Sequence, residues 1–167
     1  MNRLWTHCFS TPLGEIHLAS TSKGLSLLTL PGGSEEWFEQ RVHTQFDSYE
    51  LVSGGVLNQR VAKQVAEYFA GKRQRFDLPL DLHAAPFHAK VLGAVARIPY
   101  GQTRTYGDIA RQVKNPGAVR AVGTANARNT IPIIIPCHRV VASNGLGGYG
   151  GGLEMKRFLL KLEQSAS

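Results

Sequence analysis

Residues 131–141 have the sequence IPIIIPCHRVV, in which two prolines bracket an apolar run and a cysteine and a histidine follow side by side. The β-branched residues 133–135 predict a short strand that is buried on both faces. Pro136 has no N–H to donate, so the pairing of that strand should end there. We therefore expect Cys137 where a buried element opens, next to basic side chains. A buried core thiol is the ordinary alternative for a single cysteine, but a core thiol does not need a histidine and an arginine beside it.

The motif IPCHRVV, residues 135–141, resembles the acceptor-cysteine motif of the O6-alkylguanine-DNA alkyltransferases, which are methylated-DNA–protein-cysteine methyltransferases. The resemblance is close over residues 87–163 and loose before them. It implies direct-reversal DNA repair, in which the alkyl group of O6-alkylguanine passes irreversibly to Cys137 after the nucleotide is flipped out of the duplex. The implied partner is double-stranded DNA that contains the lesion. We expect a monomer that needs no cofactor.

The charge of the chain is distributed unevenly. Of the net charge of +7, residues 1–81 carry −1 and residues 82–167 carry +8. This favours a polyanion-binding surface in the second half, although charge alone fits a solvated basic face equally well.

The sequence also bears on location. Residues 1–13 lack the apolar segment of a signal peptide, and no stretch approaches the ~20 apolar residues of a membrane span. Two cysteines without a secretion signal favour free thiols in a reducing compartment. We expect a cytoplasmic protein without a membrane partner, nucleoid-associated in a prokaryote or nuclear in a eukaryote.

The expected fold class is α/β (α+β) with two domains. The first half predicts a small antiparallel sheet with helices, and the resemblance implies that it is ribonuclease H-like. Apolar patterns and turn residues place strands at 3–9, 15–19 and 25–30 and helices at 35–46 and 57–70. A basic break and a proline-containing linker at 79–86 put the domain boundary near residue 82. Residues 1–82 would be a scaffold domain, and residues 83–167 a DNA-binding and alkyl-acceptor domain.

Four side chains of the first half suggest a metal site: His7, Cys8, His17 and His43. Their spacing matches no zinc motif, and scattered surface or hydrogen-bonded histidines are the more common explanation. Some members of the resembled family carry zinc in this half, but no motif here supports one. We expect no metal.

The second half is expected to be mostly helical and winged-helix-like, with a helix-turn-helix at 105–128. Thr105 and Asp108 have the spacing of a capping box, and residues 114–117 form a tight turn. Two core helices can be joined in the same way, but the second helix consists of small residues with Arg120 and Arg128 as its only charges. A slim helix with a long cation suits a narrow groove.

The resemblance assigns DNA contacts to this segment. It implies that the second helix enters the minor groove and that Arg120 fills the gap left by the flipped nucleotide. Tyr106 would contact the flipped guanine and help to rotate the neighbouring phosphate. The small residues that let the helix approach DNA include Ala121, Gly123 and Thr124.

A glycine-rich loop follows the motif. Residues 144–152, NGLGGYGGG, surround Tyr149 and suggest a pocket wall shaped to a flat base. The Gly-x-Gly-x-x-Gly pattern inside it lacks the βαβ context of a dinucleotide site. The resemblance implies that the N–H of Gly150 meets O6 and that the carbonyls of Cys137 and Val140 meet the exocyclic amine. The Tyr106 hydroxyl is the expected proton donor to N3.

The thiol needs help to ionise, because an unperturbed cysteine with a pKa of ~8.5 is mostly protonated at neutral pH. His138 is the expected base, through a bridging water, because consecutive side chains of an extended segment point to opposite faces. Glu163 is the carboxylate left to orient the imidazole, since Asp108 caps a helix and Glu154 begins the last one. A structural salt bridge of Glu163 to a nearby cation is the alternative.

The resemblance implies the same cysteine–water–histidine–glutamate relay, with Asn129 supporting the turn that holds the cysteine. The last helix is expected at 153–164, and Glu163 would lie at the edge of its apolar face. That face is predicted to consist of Met155, Phe158, Leu159 and Leu162.

Two other functions fit parts of the pattern. A relative that binds alkylguanine without repairing it would carry tryptophan in place of Cys137. A Cys-His hydrolase usually draws its pair from distant segments that face each other.

Overall fold

The computed structural model describes residues 2–166, and the chain forms two compact units, Met1–Leu82 and His83–Ser167. The first unit has a four-stranded sheet in the order β3-β2-β1-β4. Its elements, in chain order, are β1 (Arg3–Thr11), β2 (Gly14–Thr21), β3 (Gly24–Leu28), α1 (Glu35–Gln45), β4 (Glu50–Ser53) and α2 (Val56–Phe69). The three strands and two helices expected here are confirmed, with no boundary shifted by more than two residues.

A two-residue hairpin turn fixes the register of β1 and β2. Thr11 pairs with Gly14, and from there back to Trp5 each residue of β1 has a defined antiparallel partner, such as Cys8 opposite His17. Gly14 has φ +129, and a Cβ there would come within 2.7 Å of the backbone nitrogen of Gly32. Only glycine therefore fits this turn without displacing the chain.

The two helices of the first unit cover opposite faces of the sheet. On one face, Phe38 of α1 packs in a core cluster with Leu4 and Ala19. On the other face, Asn58 of α2 accepts a hydrogen bond from Ser20 and donates to the carbonyl of Trp5. β4, which the sequence pattern did not reveal, adds a short parallel edge strand beside β1.

The second unit is mainly helical. It contains α3 (Pro86–Val95), β5 (Arg104–Thr105), α4 (Tyr106–Gln112), α5 (Val119–Ala127), a 3₁₀ turn (Cys137–Arg139), β6 (Val140–Val141) and α6 (Leu153–Ala166). The expected capping box is present, because the Thr105 hydroxyl accepts from the N–H of Asp108 and the Asp108 carboxylate accepts from that of Thr105. Parallel pairing of β5 with β6 brings the start of α4 next to the cysteine motif.

Two expectations for this unit are wrong. Residues 133–135 form a turn, not a strand: the N–H of Ile135 donates to the carbonyl of Ile131 and Ile133 has φ +72. In α6, Phe158 is 39% exposed, whereas Lys156 and Glu163 are buried. No helix of residues 2–166 is long and apolar enough to cross a membrane.

Candidate active site

Cys137 begins the 3₁₀ turn and is 6% exposed. The turn before it is held by the Asn129 side chain, whose amide donates to the carbonyl of Ile135 (2.8 Å) and whose oxygen accepts from the N–H of Ile131 (2.9 Å). These bonds replace the strand pairing that the apolar run would otherwise need. Asn129 thus stabilises the left-handed conformation of Ile133, and with it the approach to the thiol.

Opposing effects act on the Cys137 thiol. Burial raises its pKa, while the nearby side chains of Asn129 and Tyr149 and the ammonium of Lys156 lower it. Burial is the largest of these effects, so the resting group is a thiol and not a thiolate. A reaction at this sulfur needs a base that takes its proton.

His138 is fully buried, and its Nε2 lies 2.6 Å from Oε2 of Glu163. The same carboxylate accepts from Nε of Arg139 at 2.8 Å and from its Nη2 at 3.0 Å. Arg139 also donates to the carbonyl of Ile98, and its guanidinium lies over the Tyr100 ring. Glu163 therefore contacts both the histidine and a buried arginine. The contact that would orient the imidazole and the salt bridge to a nearby cation are both present.

The pKa of His138 is lowered, mainly by burial, although Glu163 acts in the opposite direction. A neutral imidazole that faces a carboxylate through Nε2 carries its proton there, which leaves Nδ1 as the acceptor. Nδ1 is buried and has no hydrogen-bond partner within residues 2–166. An acceptor of this kind beside a buried thiol can act as a base.

Two side chains that the sequence analysis missed hold the backbone of the pocket. Lys156 is fully buried and donates to the carbonyls of Val140 (2.7 Å) and Gly148 (3.1 Å), and burial lowers its pKa. Asn126 is also buried, and its amide donates to the carbonyl of Cys137 at 3.1 Å. The carbonyl of Cys137 thus accepts from both the Asn126 amide and the N–H of Val140, and the carbonyl of Val140 accepts from Lys156, so both carbonyls expected to meet a guanine amine are held in place by internal donors.

Tyr106 is the first residue of α4, and burial raises its pKa. The glycine loop crosses its hydroxyl so closely that a Cβ on Gly147 would lie 2.8 Å from the Tyr106 oxygen. Gly150 lies further along the same loop; it is exposed and has space for a Cβ. Glycine is thus required at 147 but not at 150.

The outer face of α5 is exposed at Arg120, Ala121 and Thr124, while Val122 and Ala125 are buried. Gly123 lies beside Tyr106, since a Cβ there would be 3.9 Å from the Tyr106 ring. The helix therefore presents a slim surface with one long cation next to the tyrosine at the start of α4.

Comparisons with known proteins agree over nearly the whole chain. A family model described as 6-O-methylguanine DNA methyltransferase, ribonuclease-like domain, matches residues 4–82, and the DNA binding domain of the same description matches residues 86–165. The methylated-DNA–protein-cysteine methyltransferase of Methanosarcina acetivorans is 43% identical over 162 residues, which cover 94% of this chain and 96% of that protein. The constitutive methylated-DNA–protein-cysteine methyltransferase of Bacillus subtilis is 45% identical over 157 residues, 92% of each chain.

Solved structures give the same result. The crystal structure of Mycobacterium tuberculosis O6-methylguanine methyltransferase matches with a TM-score of 0.83 at 39% identity, over 98% of this chain and 94% of that one. The crystal structure of M. tuberculosis OGT in complex with DNA matches with a TM-score of 0.83 at 38% identity and the same coverage. The fold and the site define an α/β protein with a buried, supported cysteine next to a helix-turn-helix. The chain belongs to the 6-O-methylguanine DNA methyltransferase family.

Proposed function

We propose that this protein repairs DNA by direct reversal: it transfers the alkyl group of O6-alkylguanine to Sγ of its own Cys137, once and irreversibly. The observation that carries the proposal is the buried thiol beside a neutral His138 whose Nε2 is held by Glu163 and whose Nδ1 is left as an acceptor. The relatives named above are methylated-DNA–protein-cysteine methyltransferases, and this site has the groups that such a transfer needs.

Activation starts with the thiol proton. His138 takes it at Nδ1, through one bridging water, and the imidazolium that forms is stabilised by Glu163. Arg139 keeps Glu163 ionised and in place, because it binds the same carboxylate through two donors. The thiolate then exists only inside the closed pocket, where it is poorly solvated and reactive.

In the transfer step, the thiolate attacks the alkyl carbon, a C–S bond forms and the bond from that carbon to O6 breaks. The electron pair of the broken bond goes to the guanine, which takes a proton at N3 from the Tyr106 hydroxyl. Burial of Tyr106 raises its pKa, so the group is protonated and able to donate. The His138 imidazolium then releases its proton and the Tyr106 phenolate takes one up through solvent, so the net change is that a proton replaces the alkyl group on the guanine, and the thioether is not hydrolysed.

The pocket recognises the base through its backbone and the Tyr149 ring. The carbonyls of Cys137 and Val140 accept from the exocyclic amine, and the N–H of Gly150 donates to O6. Asn126 and Lys156 hold those two carbonyls in position before the base arrives. Such preorganisation lowers the ordering cost of binding.

The target atom is inaccessible inside a duplex, so the nucleotide is flipped. α5 lies in the minor groove, where Ala121, Gly123 and Thr124 permit close approach, and Arg120 occupies the vacated space. The domain of residues 83–167 carries this DNA contact and the acceptor cysteine, and the domain of residues 1–82 is a scaffold. The protein acts as a monomer in the cytoplasm, on the nucleoid in a prokaryote or in the nucleus in a eukaryote.

The test is to incubate the protein with a duplex that contains one O6-methylguanine and to measure the mass of the intact protein. We expect the mass of one methylene to be added per molecule, located on Cys137 by peptide mapping, and no gain in Cys137→Ser. Tight binding to the damaged duplex without a mass gain would instead support a non-repairing binder. Turnover of an ester or peptide by Cys137 would support a hydrolase, and either result refutes the proposal.

A further inference from the structure

The first unit brings together three side chains with metal-binding atoms. Cys8 and His17 lie directly opposite each other in the β1–β2 register, and Glu15 is two residues from His17 on the same face of β2. The thiol of Cys8, an imidazole nitrogen of His17 and a carboxylate oxygen of Glu15 all lie within 4.8 Å of one another. The antiparallel register thus collects ligands that are seven and nine residues apart in sequence.

The spacing of these atoms suits a transition metal. The sulfur of Cys8 is 3.7 Å from Oε2 of Glu15, and two ligands of a tetrahedral Zn²⁺ with Zn–S of ~2.3 Å and Zn–O of ~2.0 Å are about 3.5 Å apart. His17 is rigidly placed, because its N–H donates to the Thr29 hydroxyl and its carbonyl accepts from the N–H of Thr29. Cys8 and Glu15 are exposed and need only side-chain rotation to converge on one ion.

The surroundings of the cluster are acidic. A cavity of about 480 Å³ opens in front of Cys8 and His17, and Glu35, Glu39 and His43 of the α1 segment line it. No lysine or arginine lines this cavity in the described part of the chain, and Glu15, Glu35 and Glu39 form no salt bridge within residues 2–166. A divalent cation would neutralise this concentration of negative charge.

We propose that Cys8, Glu15 and His17 form a binding site for Zn²⁺ or a similar borderline divalent cation, with the fourth coordination position directed to the cavity. A thiolate–imidazole–carboxylate set selects such an ion over Mg²⁺ or Ca²⁺, which prefer oxygen ligands alone. The site joins the two strands of the hairpin on the face covered by α1. It lies in the unit that contains none of the groups proposed for alkyl transfer, so it does not depend on that function.

Binding must displace the Cys8 proton. Burial and the neighbouring Glu15 and Glu35 raise the pKa of this thiol, so the free group is protonated near neutral pH. A cation that binds there releases the proton and reverses the effect of the carboxylates.

The experiment uses the full-length Cys137→Ser protein, in which Cys8 is the only remaining thiol. Co²⁺ is added as a spectroscopic probe, and Zn²⁺ competes for the same site. We expect one Co²⁺ per chain with a sulfur-to-metal charge-transfer absorption band, which stoichiometric Zn²⁺ abolishes. We also expect Zn²⁺ to raise the melting temperature, since a ligand that binds only the folded state stabilises it.

Three further variants in the same background complete the test. Cys8→Ser should remove the charge-transfer band, and Glu15→Gln should weaken Zn²⁺ binding by more than about tenfold, because even outer-shell changes cost that much. Glu36→Gln, the same change at an exposed carboxylate outside the cavity lining, should have no effect. Circular dichroism of each variant verifies folding. The proposal is overturned if Co²⁺ produces no thiolate band, or if Cys8→Ser and Glu15→Gln bind Zn²⁺ as tightly as Glu36→Gln does.

Discussion

Replacement of Glu163 by Gln is expected to affect both stability and chemistry, because one carboxylate contacts both the His138 imidazole and the Arg139 cation. It contacts Nε2 of His138 at 2.6 Å and two guanidinium nitrogens of Arg139, and it is 1% exposed. A neutral amide leaves the Arg139 charge without its partner in a buried site. It also removes the anion that stabilises protonated His138.

The size of each effect follows from these contacts. Loss of one partner of a buried ion pair costs about 3–5 kcal/mol, which corresponds to a melting temperature about 6–20 °C lower for a chain of this size, at about 2–4 °C per kcal/mol. Transfer at neutral pH should slow by about 10² or more, since a positioned general base contributes about 10²–10⁴. The rate should recover as the pH rises through the pKa of the Cys137 thiol, which burial raises, because the thiol then ionises unaided.

The two roles are separated by the double variant Glu163→Gln/Arg139→Met, with Arg139→Met as the matched single control. Removing both charges eliminates the unpaired cation, so we expect thermal denaturation to show a large part of the lost stability regained. Single-turnover transfer to Cys137 should remain slow and keep its recovery at high pH. If the double variant regains wild-type transfer along with stability, Glu163 only neutralises Arg139 and the relay is refuted.

Four further predictions concern DNA, the pocket and acid. Arg120→Ala should slow transfer from duplex DNA far more than transfer from free O6-alkylguanine, because only the duplex needs a gap filled; equal losses in single-turnover assays would contradict this role. Binding to undamaged DNA should weaken steeply with salt in fluorescence anisotropy titrations, because the +8 half releases counterions from phosphates; salt-independent affinity would exclude the proposed surface. Lys156→Met should slow transfer from DNA and from free base alike, by about 10²-fold if the pocket backbone shifts by about 1 Å, because the carbonyls of Val140 and Gly148 lose their donor; an unchanged rate would show that the loop is held without it. His138 has a folded-state pKa below its unfolded value of 6.5, so its contribution to stability is complete above pH 6.5 and is lost as the pH falls below it. In denaturant titrations, the free energy of unfolding of His138→Gln should therefore fall less steeply with decreasing pH than that of the wild type. An equally steep fall would show that His138 is not the source of the acid sensitivity.

Much of the fold was predictable because local signals agreed with the final packing. The Thr105–Asp108 capping box, the alternating strands of the first unit and the small residues of α5 each specify their own element. The strand predicted at 133–135 was wrong because hydrophobic periodicity cannot distinguish a buried strand from a buried turn. The deciding contact is the Asn129 side chain, which bonds the backbone on both sides of that turn. Here side chain-to-backbone hydrogen bonds outweighed β propensity.

The candidate site was only partly predictable, because some of its polar side chains lie where hydropathy predicts apolar ones. The chemical types of the side chains suggested Cys137, His138 and Glu163. On α6, hydropathy correctly placed Leu159 inward but also selected Phe158, which is exposed, and gave no sign of the buried Lys156. The buried positions 156, 159 and 163 follow helical spacing, yet two of them are charged. Buried charges are rare, so a rule that assigns apolar residues to the core selects Phe158 and rejects Lys156.

The side-chain cluster of the first unit was also not predictable from linear sequence patterns. Cys8, Glu15 and His17 match no linear metal motif because a hairpin register, not a loop of fixed length, brings them together. The register depends on Gly14, where any side chain would clash with Gly32. Side chains that a linear reading treats as unrelated are thus held in a fixed arrangement by one glycine turn. The sequence analysis considered Cys8 and His17 but not Glu15, and in the second unit it missed Lys156 and Asn126, because the partners of these groups lie on another strand or on the backbone of a distant loop.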